Sequence, residues 1–175
     1  WIKNATRWNF PMCSHAPKDV IGLQLGNYME ETDDEKPHLE IILKFAKVNG
    51  ANIEAVRASP GLPTTRAWVD WLISVGEKQP WFCGIAASRV GTESQSPELY
   101  GKVLHALREI YKFDEEDIEH FWLHSEVDVE HGERGFKALI RHCTSREMQD
   151  MAIKFARESA HMRWLYFDGI YLHYE

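Results

Sequence analysis

Three side chains able to bind a cation, His124, Asp128 and His131, fall within the eight-residue stretch "HSEVDVEH". At about 100° per residue in a helix, Asp128 lies roughly 40° around the axis from His124, and His131 about 20° to the other side. All three therefore point one way. Phe121 and Val127 flank that direction, which aims the stripe into packed protein rather than water. Burying such groups without partners costs a few kcal/mol each, and a divalent cation would supply the partner. A single His/Asp pair one turn apart reads more simply as a solvated salt bridge, but three converging groups change that balance. His and Asp suit iron or manganese. In helical bundles such sites are completed by inward carboxylates from facing helices, so further acids are required from elsewhere in the chain.

The elements that must position these groups read as helices throughout. Helical spacing and breakers predict helices over 19–31, 38–50, 63–78, 80–94, 96–111, 113–143 and 145–172, with a short helical turn and loop over 53–61. Pro37 fits the opening of the second and Asn49-Gly50 its end. The segment 80–94 is rich in small residues that permit close helix approach. Ser96 is expected to cap the next helix with Pro97 as its first residue, Asp114 to open the following one, and Ser145 to cap the last. Residues 1–19 read as an irregular, aromatic-anchored arm. The sum is an all-α, compact seven-helix bundle forming one domain over 1–175.

The totals exclude several classes. A net charge of −7 and no concentrated basic face argue against nucleic acid, and no run approaches the roughly 18 apolar residues of a membrane span. Cys13, Cys83 and Cys143 are far apart and never in a C-x-x-C pair, as reduced thiols in the cytoplasm would be. Seven Trp favour an aromatic-rich core with ligand walls. The chain starts at Trp1, not Met, without a signal-peptide pattern, so a trimmed piece of a longer protein is expected.

Three stretches carry a resemblance: "NYMEETDDEKPH", "GTESQSPELYGKVLHAL" and "HSEVDVEH". In order and separation they resemble the heme-oxygenase-like di-iron oxidases and oxygenases, seven-helix relatives of the thiamin-salvage and pyrroloquinoline-quinone-synthesis enzymes. The resemblance implies a heme-oxygenase-like fold and six metal ligands, Glu31, His38, Glu93, His124, Asp128 and His131, with Glu93 bridging the metals and Glu93 and Asp128 central to catalysis. It implies two Fe(II) ions, with Mn an open substitute, and O2 as co-substrate. Relatives hydroxylate amines, desaturate or cleave amino acids, or decarboxylate fatty acids, so a small-molecule substrate of one of those kinds is implied.

The residues themselves add to this. Glu31 lies four residues past Asn27 on the face of Leu23 and Gln24; Glu30 remains its alternative. His38 rests on the resemblance. Glu93 shares a helix face with Phe82, Ala86, Arg89 and Val90, where an unpaired carboxylate is unwelcome. Arg89 either pairs with Glu93 or receives a substrate carboxylate, and Arg163 could do the latter. Tyr166, with Trp164, Phe167 and Tyr171, is a candidate pocket wall. His120, one turn before His124, could orient a ligand. The remaining histidines, His15, His105, His142, His161 and His173, lack convergent partners. Cys143 reads as a small buried hydrophobe. Three other readings stay open: a cofactor-free hydrolase or oxidase, a heme protein with His38 or His124 as axial ligand, and a non-catalytic scaffold. A homodimer is also open.

Overall fold

The computed structural model describes residues 5–33, 35 and 37–175. Asp34 and Lys36 of the acidic turn, and the first four residues of the expected arm, lie outside the described residues. Every regular element among the described residues is helical: α1 (Ala5–Cys13), α2 (Lys18–Glu31), α3 (His38–Val48), α4 (Ile53–Ala58), α5 (Pro63–Lys78), α6 (Trp81–Ile85), α7 (Ser96–Glu109), α8 (Glu119–His142) and α9 (Arg146–Tyr174). Seven of these have nine or more residues; α4 and α6 are shorter.

Within the arm expected over 1–19, residues 5–13 form helix α1 and residues 18–19 already open α2. Pro11 sits inside it and reads as a breaker, but the helix ends two residues later, and Trp8 and Met12, one turn apart, are buried against α5 and α6. Gly76 on α5 makes that approach feasible, because a Cβ there would stand 2.5 Å from the Trp8 carbonyl oxygen.

Two expected starts move. The helix expected from Asp114 begins at Glu119, after turns that bury Ile118 beside Leu104 and Leu107. Ser96 is not a cap: α7 runs directly out of a 3₁₀ turn, and the Ser96 hydroxyl is buried and accepts from Arg163 at 3.2 Å. Ser145 does cap α9, accepting from the Met148 amide.

The largest departure is in 80–94. α6 widens into a π-helical turn, Ala86–Val90, closed by the Gly91 amide on the Ala86 carbonyl (2.8 Å), and a 3₁₀ turn, Glu93–Gln95, follows. This segment packs between α8 and α9. Glycines on α8 admit it: a Cβ at Gly135 would meet Arg89 Cβ at 2.4 Å, and one at Gly132 would press on Ser94 Cα at 3.3 Å. The apolar core sits beneath, where Trp68 and Leu72 of α5 meet Phe82, Cys83 and Ala87, and Phe155 of α9. Among the described residues no helix is long and apolar enough to cross a membrane.

Candidate metal centre

α8 presents one buried stripe, His120, His124, Asp128 and His131, to the middle of the bundle. The C-terminal end of α2 brings Glu31 and the first turn of α3 brings His38 to the same place. The 3₁₀ turn brings Glu93. All six residues are buried, and they fall into two triads, Glu31/His38/His124 and Glu93/Asp128/His131, each offering donor atoms within 4.8 Å of one another.

Within the first triad, His38 Nδ1 lies 3.0 Å from Glu31 Oε2, and the His38 and His124 rings meet edge-on at 4.7 Å. Within the second, His131 Nδ1 stands 3.6 Å from Glu93 Oε2 and 3.8 Å from Asp128 Oδ1. His124 Nδ1 and Asp128 Oδ1, 3.2 Å apart, join the triads. The donor set fits a metal on an observation independent of its composition: Glu93 Oε2, His124 Nε2 and His131 Nδ1 are buried without a hydrogen-bond partner. Orphaned buried polar atoms are rare because each costs desolvation energy, and here three belong to the proposed ligand groups.

The electrostatics agree. Burial pushes the Glu93 carboxyl up; the Arg89 charge opposes this and the Asp128 carboxylate adds to it. Burial also raises Glu31 and Asp128, but hydrogen bonds from His38 and His124 and the surrounding imidazole and arginine charges outweigh it, leaving both below the ordinary range. For His124, burial acts downward and is outweighed by the Asp128 hydrogen bond and by the charges of Asp128, Glu31 and Glu93, which raise it. Glu31, Glu93 and Asp128 thus share one buried space, where a divalent ion would stabilise all three as carboxylates.

Glu30 and Glu31 take different places. Glu31 belongs to the first triad. Glu30, half exposed, lies 2.6 Å from His131 Nε2, the ring nitrogen that faces away from Glu93. Arg134 holds Glu30 there at 3.0 Å, and also bonds Asn27 Oδ1 at 2.8 Å and Glu130. A carboxylate on the far nitrogen fixes ring orientation and tautomer. The sequence signal for Arg134 was its position one turn past both Glu130 and His131.

Arg89 does not face a substrate. It is 1% exposed, donates to Glu93 Oε1, and gives its other groups to Gln24 Oε1 (2.9 and 3.2 Å) and Asn9 Oδ1 (3.4 Å). The expected substrate role is corrected accordingly. Gln24 and Asn9 were not singled out for this; Gln24, a polar residue on an apolar face, carried the one available hint. Because Arg89 occupies Oε1, only Oε2 of Glu93 faces the cluster. As the side chain lies, it serves the second triad and does not bridge to the first.

A cavity of about 430 Å³ opens above the triads. Glu31, Glu93, His124 and Asp128 form its floor with His120; its walls include Leu39, Ile42, Tyr100, Phe121, Arg163 and Tyr166. Arg163, Tyr166 and Phe167 thus line it, whereas Trp164 and Tyr171 are 71% and 63% exposed and do not. The His120 ring lies tilted with its centroid 4.5 Å from that of His124, and burial, with the charges of His124 and His38, pushes it down to about 3. Cys143 lies in the apolar core, its thiol raised by burial, away from this lining.

A family profile described as an iron-containing redox enzyme matches residues 5–164. A solved structure from Shewanella denitrificans OS217, a domain of unknown function with a heme oxygenase-like fold, superposes with a TM-score of 0.79 at 20% identity, covering 99% of this chain and 72% of that one. No curated protein matches in sequence.

Proposed function

The chain belongs to the iron-containing redox enzyme family, and from that premise we propose that it is a non-heme di-iron enzyme that uses O2 to oxidise a small amine, an amino-acid-derived molecule or a fatty acid. The observation that carries this reading is the pair of buried triads, Glu31/His38/His124 and Glu93/Asp128/His131, joined at the floor of one cavity. When bound there, two ferrous ions would supply the electrons for O2 reduction and hence the oxidising power.

The protein's own part is binding, orientation and exclusion of water. Three imidazoles and three carboxylates match the ligand preferences of iron, and the three carboxylates would offset most of the charge of two divalent ions. Glu30 and Arg134 hold the His131 ring with Nδ1 inward. Arg89, fixed by Gln24 and Asn9, opposes the effect of burial on Glu93 and directs it at Asp128 and His131. Leu39, Ile42 and Phe121 limit water at the floor and accept the apolar part of a substrate.

Iron-loaded protein exposed to O2 with a panel of amines, amino acids and fatty acids tests the reading. Gain of an oxygen atom, loss of two hydrogens or loss of CO2 from one of them, dependent on iron, is the expected result. Turnover by metal-free protein would instead support a cofactor-free enzyme, a Soret band a heme protein, and no turnover with any of them a scaffold.

A further inference from the structure

Arg163 on α9 is 6% exposed and lines the cavity above the triads. Among the described residues no carboxylate lies on it. Every other arginine that is largely buried has one: Arg89 holds Glu93, and Arg134 holds Glu30 and Glu130. Arg163 donates instead to neutral oxygens, the Thr92 carbonyl and Ser96 Oγ at 3.2 Å, with Tyr100 alongside. Two of its five N–H donors are thereby used. A guanidinium kept from water with no carboxylate directly on it, Asp128 being reached only through Ser96, is costly until an anion completes it.

Its place in the fold is specific. Beyond the cavity lies an outer cleft of about 660 Å³ between α7 and α9, bordered by exposed Glu98, Lys102, Trp164 and Asp168. Leu99, Arg163 and Phe167 line both spaces, so they form the partition between solvent and the triads. Glu98 and Lys102 pair with each other at 2.7 Å, leaving Arg163 as the cation at that partition. Tyr100 stands beside it in the cavity wall, and its phenol O–H is a donor open to a ligand.

We propose that the substrate is an organic carboxylate that reaches the cavity through the cleft between α7 and α9 and is anchored on Arg163 and the Tyr100 O–H. The carboxylate completes the guanidinium in a forked pair, and the body of the molecule lies between Leu39, Ile42, Leu99 and Phe121 with the floor of the triads beneath it. This deepens the oxidase reading and rests on it for what happens at the floor, but anchoring itself needs no metal.

The test therefore uses metal-free protein. Decanoate and 3-phenylpropanoate, each against its primary amide, are titrated by calorimetry and by quenching of tryptophan fluorescence, Trp68 being part of the cavity wall. Each acid is expected to bind about tenfold or more tighter than its amide, as a charge-assisted pair requires. Arg163→Met is expected to erase the difference and Tyr100→Phe to reduce it severalfold. If Arg163→Met does not fold by circular dichroism, Arg163→Lys takes its place and is expected to weaken the acid preference, since an ammonium cannot fork. Equal binding of acid and amide, no binding of either, or an acid preference untouched in the Arg163 variant and in Tyr100→Phe overturns the inference. Acid binding in a protein that takes up no iron would keep this inference and remove the oxidase reading.

Discussion

The Glu30 carboxylate lies 2.6 Å from His131 Nε2, on the side of the ring opposite the Asp128 and Glu93 carboxylates. This relationship separates two adjacent glutamates by role and gives the first expected outcome. Glu30→Gln retains the shape but loses the charge that holds the His131 tautomer, and is expected to weaken metal binding by about 10- to 100-fold. Glu31→Gln removes a donor of the first triad outright. Competition titrations with a chromophoric chelator distinguish the two: Glu30→Gln should reach full stoichiometry at higher metal, and Glu31→Gln should not.

Arg89 and Glu93 form a buried pair, 1% and 4% exposed. Arg89→Met leaves Glu93 beside Asp128 with its countercharge gone, and is expected to cost metal-free protein about 3–5 kcal/mol. A divalent metal should restore part of that loss, so the stabilisation on adding Fe(II) or Mn(II) should be greater in Arg89→Met than in the native chain. Urea denaturation with and without metal reads both.

Gly135→Ala addresses how the site is assembled. The added methyl would need space 2.4 Å from Arg89 Cβ, and overpacking of this kind typically costs about 1–3 kcal/mol. It is expected to push the π-helical turn off α8 and weaken metal binding. Gly101→Ala, where a Cβ meets nothing within 4 Å, should do neither.

The pH dependence of metal-free protein follows from His120. Burial and the neighbouring His124 and His38 lower it from 6.5 to about 3, so the unfolded chain binds the proton over that window and the folded chain does not. Its contribution to stability is fully present above pH about 6.5 and falls as pH drops towards 3, by at most about 1.4 kcal/mol per pH unit. His124, raised in the folded chain, acts oppositely: its contribution is present below its unfolded value and fades as pH rises through the folded one. Comparison with His120→Gln isolates the term. The loss between pH 7 and 5.5 should be smaller in the variant; an equal loss would count against a neutral buried His120.

The stripe on α8 was legible because it depends on helical period alone, and that period is kept through all of Glu119–His142. Glu93 was legible as a polar residue out of place, but its partners were not. The π-helical turn adds a residue to one turn of the segment, so its side chains shift relative to a plain helix, and no local pattern marks it. Glu30 and Glu31 could not be told apart because both end α2 and each reaches an imidazole, one from inside and one from behind. α1 was hidden by Pro11, and the start of α8 by acidic residues at 114–117 that make turns instead. In each case contacts with another element decided what local propensity left open.

Anaerobic titration of the native chain with Fe(II), read as bound iron per chain, tests the central claim most directly. Two ions per chain are expected, falling to one when Glu31 and His38 are both replaced by Gln, and to one when Asp128→Asn and His131→Gln are combined. Uptake of no iron by the folded native chain, or an unchanged two ions in both double variants, would contradict the assignment of the triads.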